Sequence, residues 1–418
     1  MGMVAIQDQV MRTSDGVPLK LALKRAERGR NLRALALVAP LFLFIVLTFA
    51  APIGLLLFRA IYDPDLATNL PATTQALSDW TGQGLPDEPV YAAFATDLKQ
   101  AQENKTAGQI GKRLNYEISG TRSKVISTAR AIAKLENGPY KEALLKQDPL
   151  WGKPDVWTVL KRETRPFTGF YLLAALDHRI DAAGNIASMP ADQAIFIDIF
   201  IRTVWISLLV TVATLILGYP VAYLLASLPT GSSNLLMILV LVPFWTSLLV
   251  RTTAWVVLLQ TNGVINDLLI WLGILHERVQ LIFNRGGTVL AMTHIQLPFT
   301  ILPIYSVMKT ISPSYMRAAR SLGAGPFYSF WRIYFPQSVP GIGAGCLLTF
   351  ILSLGYYITP ALVGGPADQM ISYFVALYTN TELNWGMASA LGALLLAMTL
   401  ILYFVYNRLV GIDKVKLG

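Results

Sequence analysis

Three sets of residues in this 418-residue chain have types that could do chemistry, and two of them lack the spacing. His276-Glu277 opens the zinc-hydrolase pattern His-Glu-x-x-His, but Gln280 stands where the second imidazole must be, so the paired helix ligands are missing. Asp177, Asp181 and Asn185 offer oxygen donors without EF-hand spacing. Asp181-Ala182-Ala183-Gly184-Asn185 reads instead as a plain turn between short strands at 170–173 and 187–189. No Gly-x4-Gly-Lys-Ser/Thr run occurs, so there is no P-loop for nucleotide phosphates. The single cysteine, Cys346, lies in an apolar run and provides neither a disulfide nor a CxxC centre. The third set is of another kind. Thr246, Ser247, Thr252, Thr253, Thr293, His294, Gln296, Ser353, Tyr356 and Tyr357 are polar side chains set inside long apolar runs. In lipid such groups line a path or satisfy neighbouring helices, and His294 is more often a hydrogen-bonded bundle histidine than a proton relay.

The runs that must position them follow from an uneven charge distribution. Charged residues are 14% of the chain, against about 25% in ordinary soluble proteins. Residues 59–192 carry 16 Lys/Arg and 16 Asp/Glu, a soluble density with no net charge. Residues 1–33 carry seven basic and three acidic groups, which leaves 17 charges for the other 251 residues. So few charges cannot cover a soluble surface, which excludes a cytosolic enzyme, a nucleic-acid-binding protein and a disordered scaffold. The net charge of +9 is read as Lys and Arg gathered in cytoplasmic loops. The chain reads as an all-α polytopic membrane protein with one soluble insertion.

The uncharged run Ala34–Phe58, about 25 residues at 1.5 Å each, is long enough to cross a bilayer and longer than a signal-peptide core. Lys20, Lys24, Arg25, Arg28, Arg30 and Arg33 before it hold the basic tail 1–33 in the cytoplasm. Residues 59–193 then form an extracytoplasmic insertion, mixed or mainly helical, with helices expected across Ala92–Leu135. Five more spans are expected at 194–228, 235–259, 287–308, 339–358 and 386–406, within a core of 194–410. A kink is expected at Gly218-Tyr219-Pro220. The loop between spans four and five carries Lys309, Arg317, Arg320 and Arg332 with no acid, and the next carries Asp368 and Glu382 with no base. Positive-inside therefore puts the first of these loops and the tail 411–418, with Lys414 and Lys416, in the cytoplasm. Gly341, Gly345 and Thr349 make a small face for close helix packing. Asp198 and Arg202 are spaced for an i,i+4 pair, and Arg251 needs a partner, water or the interface.

The cytoplasmic loop 309–337 has the most specific local grammar. Ser312-Pro313 is an N-cap followed by proline at the first helical position, residues 314–322 can form a short helix, and Gly323 supplies a left-handed exit. Gly325-Pro326 starts a second helix on which Phe327, Phe330, Trp331, Tyr334 and Phe335 share one face, with Pro336 expected to end it. Physically this is either a docking knob or an interfacial amphipathic anchor.

The spacing Ala318-Ala319-x3-Gly323-x9-Ile333-x-Phe335-Pro336 resembles the EAA loop of permease subunits of type I binding-protein-dependent ABC importers. The resemblance runs from about Phe196 to Arg408. Leu217-Gly218-Tyr219-Pro220-Val221-Ala222-Tyr223 and Thr359-Pro360-Ala361-Leu362-Val363-Gly364-Gly365-Pro366 are similar to the spermidine/putrescine-type subfamily. Arg317 stands at the usual Glu position and Phe335 at the usual Leu. The resemblance implies the six-helix permease fold in a bacterial inner membrane with both termini cytoplasmic. It implies a non-catalytic chain without cofactors of its own, ATP and magnesium being bound by partner ATPase subunits. It assigns coupling to that ATPase to Ser312, Pro313, Tyr315, Arg317, Ala318, Ala319, Arg320, Leu322, Gly323, Ala324, Ile333 and Pro336. Expected partners are two ATP-binding subunits, a second homologous permease rather than a homodimer, an external substrate-binding protein and membrane lipid. The solute implied is a polyamine, with opines, aminophosphonates, iron and other small solutes as alternatives. A membrane sensor would need a cytoplasmic signalling domain, and a cation-coupled secondary transporter a deep carboxylate. The sequence places neither here.

Overall fold

The structure is a computed structural model that describes residues 19–181 and 184–410. Residues 1–18 of the expected basic tail and the expected tail 411–418 lie outside the described residues. Two units are distinct, 1–58 and 59–418. The first is one helical run: α1 (Leu19–Ile45), a π turn (Val46–Ala50) and α2 (Ala51–Phe58). Helix begins well before Ala34, because the Leu-, Lys-, Arg- and Ala-rich segment from Leu19 has high intrinsic helix propensity.

In the second unit the insertion folds on its own core. It comprises α3 (Asp65–Asn69), α4 (Pro71–Asp79), α5 (Glu88–Glu103), α6 (Ala107–Asn115), α7 (Thr121–Ile132), α8 (Tyr140–Gln147), α9 (Pro154–Glu163) and α10 (Phe170–Ala174), closed by the antiparallel pair β1 (His178–Ile180) and β2 (Ile186–Ser188). Tyr91, Phe94, Trp151 and Trp157 are wholly buried at its centre. Their polar tips are satisfied: the Tyr91 hydroxyl and Trp157 Nε1 both donate to the Trp151 carbonyl, at 2.8 and 3.0 Å. The buried Asp97 carboxylate accepts from the Thr73 N–H at 2.7 Å and so caps α4 from α5. Residues 170–173 are therefore helix rather than strand, since Thr168 Oγ1 accepts from the Phe170 N–H and the Gly169 carbonyl takes the Leu173 N–H.

The apolar core follows as α11 (Phe196–Ser227), α12 (Thr230–Trp245), α13 (Leu248–Leu259), α14 (Val264–Trp271), α15 (Arg285–Thr310), α16 (Pro313–Ser321), α17 (Pro326–Ser329), α18 (Phe335–Leu354), α19 (Ile358–Val363), α20 (Ile371–Asn380) and α21 (Trp385–Val410). Among the described residues five helical runs are long and apolar enough to span a membrane, or six if α12 and α13 count as one. The expected third span, 235–259, is not one straight helix. Pro243 lies near its middle, Thr246 and Ser247 adopt extended backbone, and the two halves meet at 95°. The fifth span also differs, because α18 stops at Leu354 before Gly355 and does not reach Ile358.

Helix α15 is the most buried span and lies between α11 and α18. Its contact with α18 needs glycine: a Cβ at Gly345 would stand 2.7 Å from the Thr300 carbonyl oxygen, and one at Gly341 2.9 Å from Val307 Cβ. Next to that approach the Thr300 hydroxyl bonds Thr214 of α11 at 2.9 Å and Thr349 of α18 at 2.6 Å. Three helices are thus tied by three buried side chains, of which only Thr349 stands out in sequence, through its place on the small face.

Two outcomes follow for equilibrium unfolding of the full chain in detergent micelles. Gly345→Leu must push α15 and α18 apart and is expected to cost about 1–3 kcal/mol; a wild-type midpoint would show that the close approach is dispensable. Thr300→Val strands the buried Thr349 hydroxyl, while that of Thr214 keeps its bond to the Thr211 carbonyl, and is expected to cost about 1 kcal/mol, with Thr300→Ser recovering most of it. Equal stability of the Val and Ser variants would remove the three-helix tie from the account.

Candidate functional site

The loop after α15 is built by local chemistry. Ser312 Oγ accepts from the Ser314 N–H at 3.3 Å, and Pro313 occupies the first turn, where its missing donor costs nothing. The helix ends when Gly323 enters the left-handed region at φ +87°, with its N–H on the Arg320 carbonyl and the Ala324 N–H on the Ala319 carbonyl. That pair of bonds is the Schellman termination. Ala319 is buried, whereas Tyr315, Arg317, Ala318 and Arg320 are exposed. Leu322 is 89% exposed and Phe327 77%, which is unusual for large apolar side chains placed on such a tightly stopped turn.

Pro336 does not end the second loop helix. A π turn at Phe330–Tyr334, which contains Ile333 and ends with the Phe335 N–H on the Phe330 carbonyl, joins α17 to α18. Helix therefore runs unbroken from Pro326 to Leu354. The wider turn moves the carbonyl that proline would meet in a regular α-helix. It also divides the aromatic face. Phe330, Tyr334 and Phe335 pack on α11, with Tyr223 5.5 Å from Phe330 and 5.2 Å from Tyr334, and Tyr219 5.8 Å from Phe335. Phe327 and Trp331 are left toward the outside. The Tyr219 hydroxyl adds a 3.2 Å hydrogen bond with Ser338 of α18. The motif around Gly218 thus serves twice: Gly218 lets α11 approach Ile301 of α15, and Tyr219 and Tyr223 clamp the loop.

The polar residues expected along a path fall into separate places. On α15, Gln296 Oε1 accepts from Ser353 of α18 at 2.6 Å, while Gln296 Nε2 and Thr293 Oγ1 are buried with no partner. Thr252 of α13 bonds Thr359 of α19 at 3.1 Å, and Trp255 Nε1 donates to His294 Nδ1 at 3.1 Å. Thr246 and Ser247 are exposed at the break between α12 and α13, where Thr246 Oγ1 donates to the Pro243 carbonyl. Thr253 and Tyr357 are exposed and Tyr356 is half-buried. An apolar groove of about 390 Å³ runs between α11, α12 and α15, with His294 the polar residue on its wall.

Charged groups near the spans are arranged differently from the expected pairs. Arg202 does not pair with Asp198; its Nη1 donates to the Ala367 carbonyl at 2.7 Å, where α19 has turned back toward α11. Arg285 Nε lies 3.0 Å from Asp368 Oδ1 on the same turn. The glycines of the 359–366 motif explain that turn: a Cβ at Gly364 would stand 2.6 Å from the Pro360 oxygen, and one at Gly365 2.7 Å from the Phe283 oxygen. Asp177 is no calcium ligand but a cap. Its carboxylate accepts from the N–H groups of Ile195, Phe196 and Ile197, at 3.0, 2.9 and 2.8 Å, at the start of α11. Asp181 accepts from the Asn185 N–H at 2.8 Å, with residues 182–183 of that turn outside the described residues. Among the described residues no three His, Cys, Asp or Glu side chains gather to hold a metal ion.

This arrangement agrees with what the chain resembles. Residues 203–412 match the family described as the binding-protein-dependent transport system inner membrane component. The spermidine/putrescine transport system permease protein PotB of Escherichia coli is 31% identical over 226 residues, 53% of this chain and 82% of that protein. PotB of Haemophilus influenzae is 32% identical over 218 residues, 51% of this chain and 76% of that protein. The inner membrane ABC transporter permease protein YdcU of Escherichia coli is 33% identical over 229 residues, 51% of this chain and 72% of that protein. All of these matches cover about half of this chain, and the family match begins at residue 203, beyond the insertion. With its broken third span, its capped loop and its threonine-tied core, the chain belongs to the inner membrane component family of binding-protein-dependent transport systems, as the multi-pass permease subunit of an ABC importer.

Proposed function

We propose that this permease imports a polyamine or a similar small solute, and that residues 309–337 form a cytoplasmic knob seated in an ATPase subunit. The observation that carries the coupling half is the exposure of Leu322 and Phe327 on a rigidly capped loop that bears four basic groups and no acid. Apolar anchors ringed by charge of one sign suit a partner groove with an acidic rim. Arg317 at the position of the family's glutamate reverses the sign of that contact, so its partner is an acidic residue. Because helix continues from Pro326 to Leu354, force applied to the loop enters α18 without a hinge and reaches Ser353 and its partner Gln296. Gln296 and Thr293, with unmet donors inside the bundle, are the groups we assign first to the solute path. The substrate half rests on the spermidine/putrescine permeases among the relatives.

On this reading the importer holds two ATP-binding subunits, which bind ATP and magnesium, a second homologous permease and an external binding protein. Both termini are cytoplasmic and the insertion faces outward, as the basic loop 309–336 and the base-free loop 359–385 support. The insertion then enlarges the docking surface for the binding protein, and its deletion should weaken that protein's affinity for the permease.

Affinity purification of the tagged permease from native membranes should recover an ATPase subunit in near-equal amount. Recovery of none would sink the importer assembly. Gly323→Val places a branched side chain at φ +87°, a strain of about 1–2 kcal/mol, with no neighbour within 4 Å to clash. It is expected to leave the complex assembled and ATP hydrolysis running while uptake falls at least about tenfold, equivalent to some 1.4 kcal/mol of lost coupling. Undiminished uptake would refute the seating of this loop. Calorimetric titration of the cognate binding protein with spermidine and putrescine decides the solute, and no heat with either would overturn the polyamine reading.

A further inference from the structure

Arg113 is the hub of an ion cluster buried in the insertion. Its Nε lies 2.8 Å from Asp63 Oδ2, its Nη1 3.1 Å from Glu117 Oε1, and its Nη2 contacts Glu163 Oε2. Arg162 closes the other side, with Nε 2.8 Å from Glu163 Oε1 and Nη2 on Glu117 Oε2. Three carboxylates therefore meet two guanidinium groups, and Arg113, Glu117 and Glu163 are almost wholly shielded from solvent. Within the cluster itself the carboxylates outnumber the guanidinium groups by one, and Glu117 and Glu163 share the same two guanidinium groups, which a low-dielectric site tolerates poorly.

The surroundings do not supply the missing charge at Glu117. On the Asp63 side, Asp65 feels Arg113, Arg59 and Lys112, so the further positive charge lies at that end of the cluster, and the Tyr171 hydroxyl donates to Asp63 at 2.5 Å. Tyr116, which caps the end of α6, brings no positive charge. On the Glu117 side, Asp155 of α9, Arg179 of β1 and Asp181 of the following turn line an open-sided cavity of about 300 Å³ together with Glu117 and Arg162. Across that side Glu117, Asp155, Asp181 and Glu163 are four carboxylates against the guanidinium groups of Arg162 and Arg179, with Arg113 shared among Glu117, Glu163 and Asp63. The cavity gives water, and hence protons, a route to the one carboxylate in surplus. Burial first and Glu163 second push the Glu117 carboxyl up to about 7, against the opposing pull of Arg113 and Arg162.

The cluster also bears on the transport core. Arg113 lies over the rings of Phe170 and Tyr171, at 5.0 and 5.5 Å. Tyr171 in turn packs so closely on the start of α21 that a Cβ at Gly386 would stand 2.3 Å from its ring. The neighbouring Lys112 donates to the carbonyls of Glu382 and Leu383, at 2.9 and 3.1 Å, in the turn that leads into α21. We propose that Glu117 is a proton switch: a proton bound there neutralises the surplus carboxylate and tightens the brace holding the insertion against the last span. Loss of that proton loosens the brace. The identity of the medium that sets the proton concentration rests on the outward placement of the insertion argued above; the switch itself does not.

A carboxyl held protonated in the folded state stabilises it fully below its unfolded pKa of 4.5 and stops doing so as pH rises through about 7. Hydrogen exchange on the full-length permease in micelles, where both faces meet the same buffer, reads the brace directly. Between about pH 5.5 and pH 8, after correction for intrinsic rates, local opening across 107–117 and 382–390 is expected to rise on the order of tenfold. Glu117→Gln balances two carboxylates against two guanidinium groups and is expected to stay protected throughout. Infrared titration of the wild-type chain needs no variant: a protonated-carboxyl band should vanish near neutral pH. Equal protection at both pH values, or no titrating carboxyl between them, overturns the switch. In proteoliposomes with a different pH on each side, opening that follows the inner-face pH keeps the switch and overturns the outward placement.

Discussion

Everything in the transport core depends on how closely α15 can lie against α18. In a bilayer apolar burial supplies no force between helices, since lipid tails solvate leucine as well as another leucine does. What remains is dispersion at short range and hydrogen bonding across the contact, and both need small side chains. Gly341 and Gly345 bring the backbones together, and at that distance the Thr300 hydroxyl can reach Thr214 and Thr349 at once. With a larger residue at Gly345 the helices would separate, the threonines would lose one another, and Gln296 would no longer meet Ser353 one helical turn further along α18. Polar residues on α15 can then be held inside the bundle rather than turned toward lipid.

The irregular places follow from the same constraint, read in reverse. Backbone that leaves helical geometry inside a membrane must be buried in protein or line a cavity. The break at Thr246-Ser247 is partly covered by its own chemistry, because Thr246 recovers the Pro243 carbonyl. The turn after α19 has its Ala367 carbonyl claimed by both Arg202 and Arg285. The π turn before α18 keeps every residue helical while accommodating Pro336. A regular α-helix there would have ended at the proline, and the loop would then be joined to α18 by a flexible link rather than by continuous helix.

Much of this is legible in the amino-acid sequence. Apolar length and the sign of loop charges indicate the number and order of the spans, because lipid imposes both strongly. Ser312, Pro313 and Gly323 indicate the ends of the loop helix, because caps depend on one or two residues. The failures are non-local. Pro243 was visible, but whether a proline bends a helix or merely sits in it depends on what takes up the freed carbonyl. Pro336 suggests a stop, because π geometry leaves no signature in apolar periodicity. Thr214 and Thr300 looked like ordinary span residues, since their importance lies in meeting across three helices. The pairing of Asp198 with Arg202 failed because a carbonyl 165 residues away offered the guanidinium a better partner.

The insertion was the least legible part, and its geometry gives the reason. Its charges balance in sequence, 16 against 16, yet they do not balance in space. Asp63, Glu117 and Glu163 come from three separate segments and converge on Arg113, so a composition that is neutral over 134 residues becomes a local surplus of negative charge. A soluble domain that only widened a docking surface would have no use for such a cluster, because apolar groups of the same volume would stabilise it as well or better. The cluster lies where Asp63, the ring of Tyr171 and the start of α21 come together. Buried charge in that position specifies one way of seating the insertion on the core, and it makes that seating respond to whatever changes the charge.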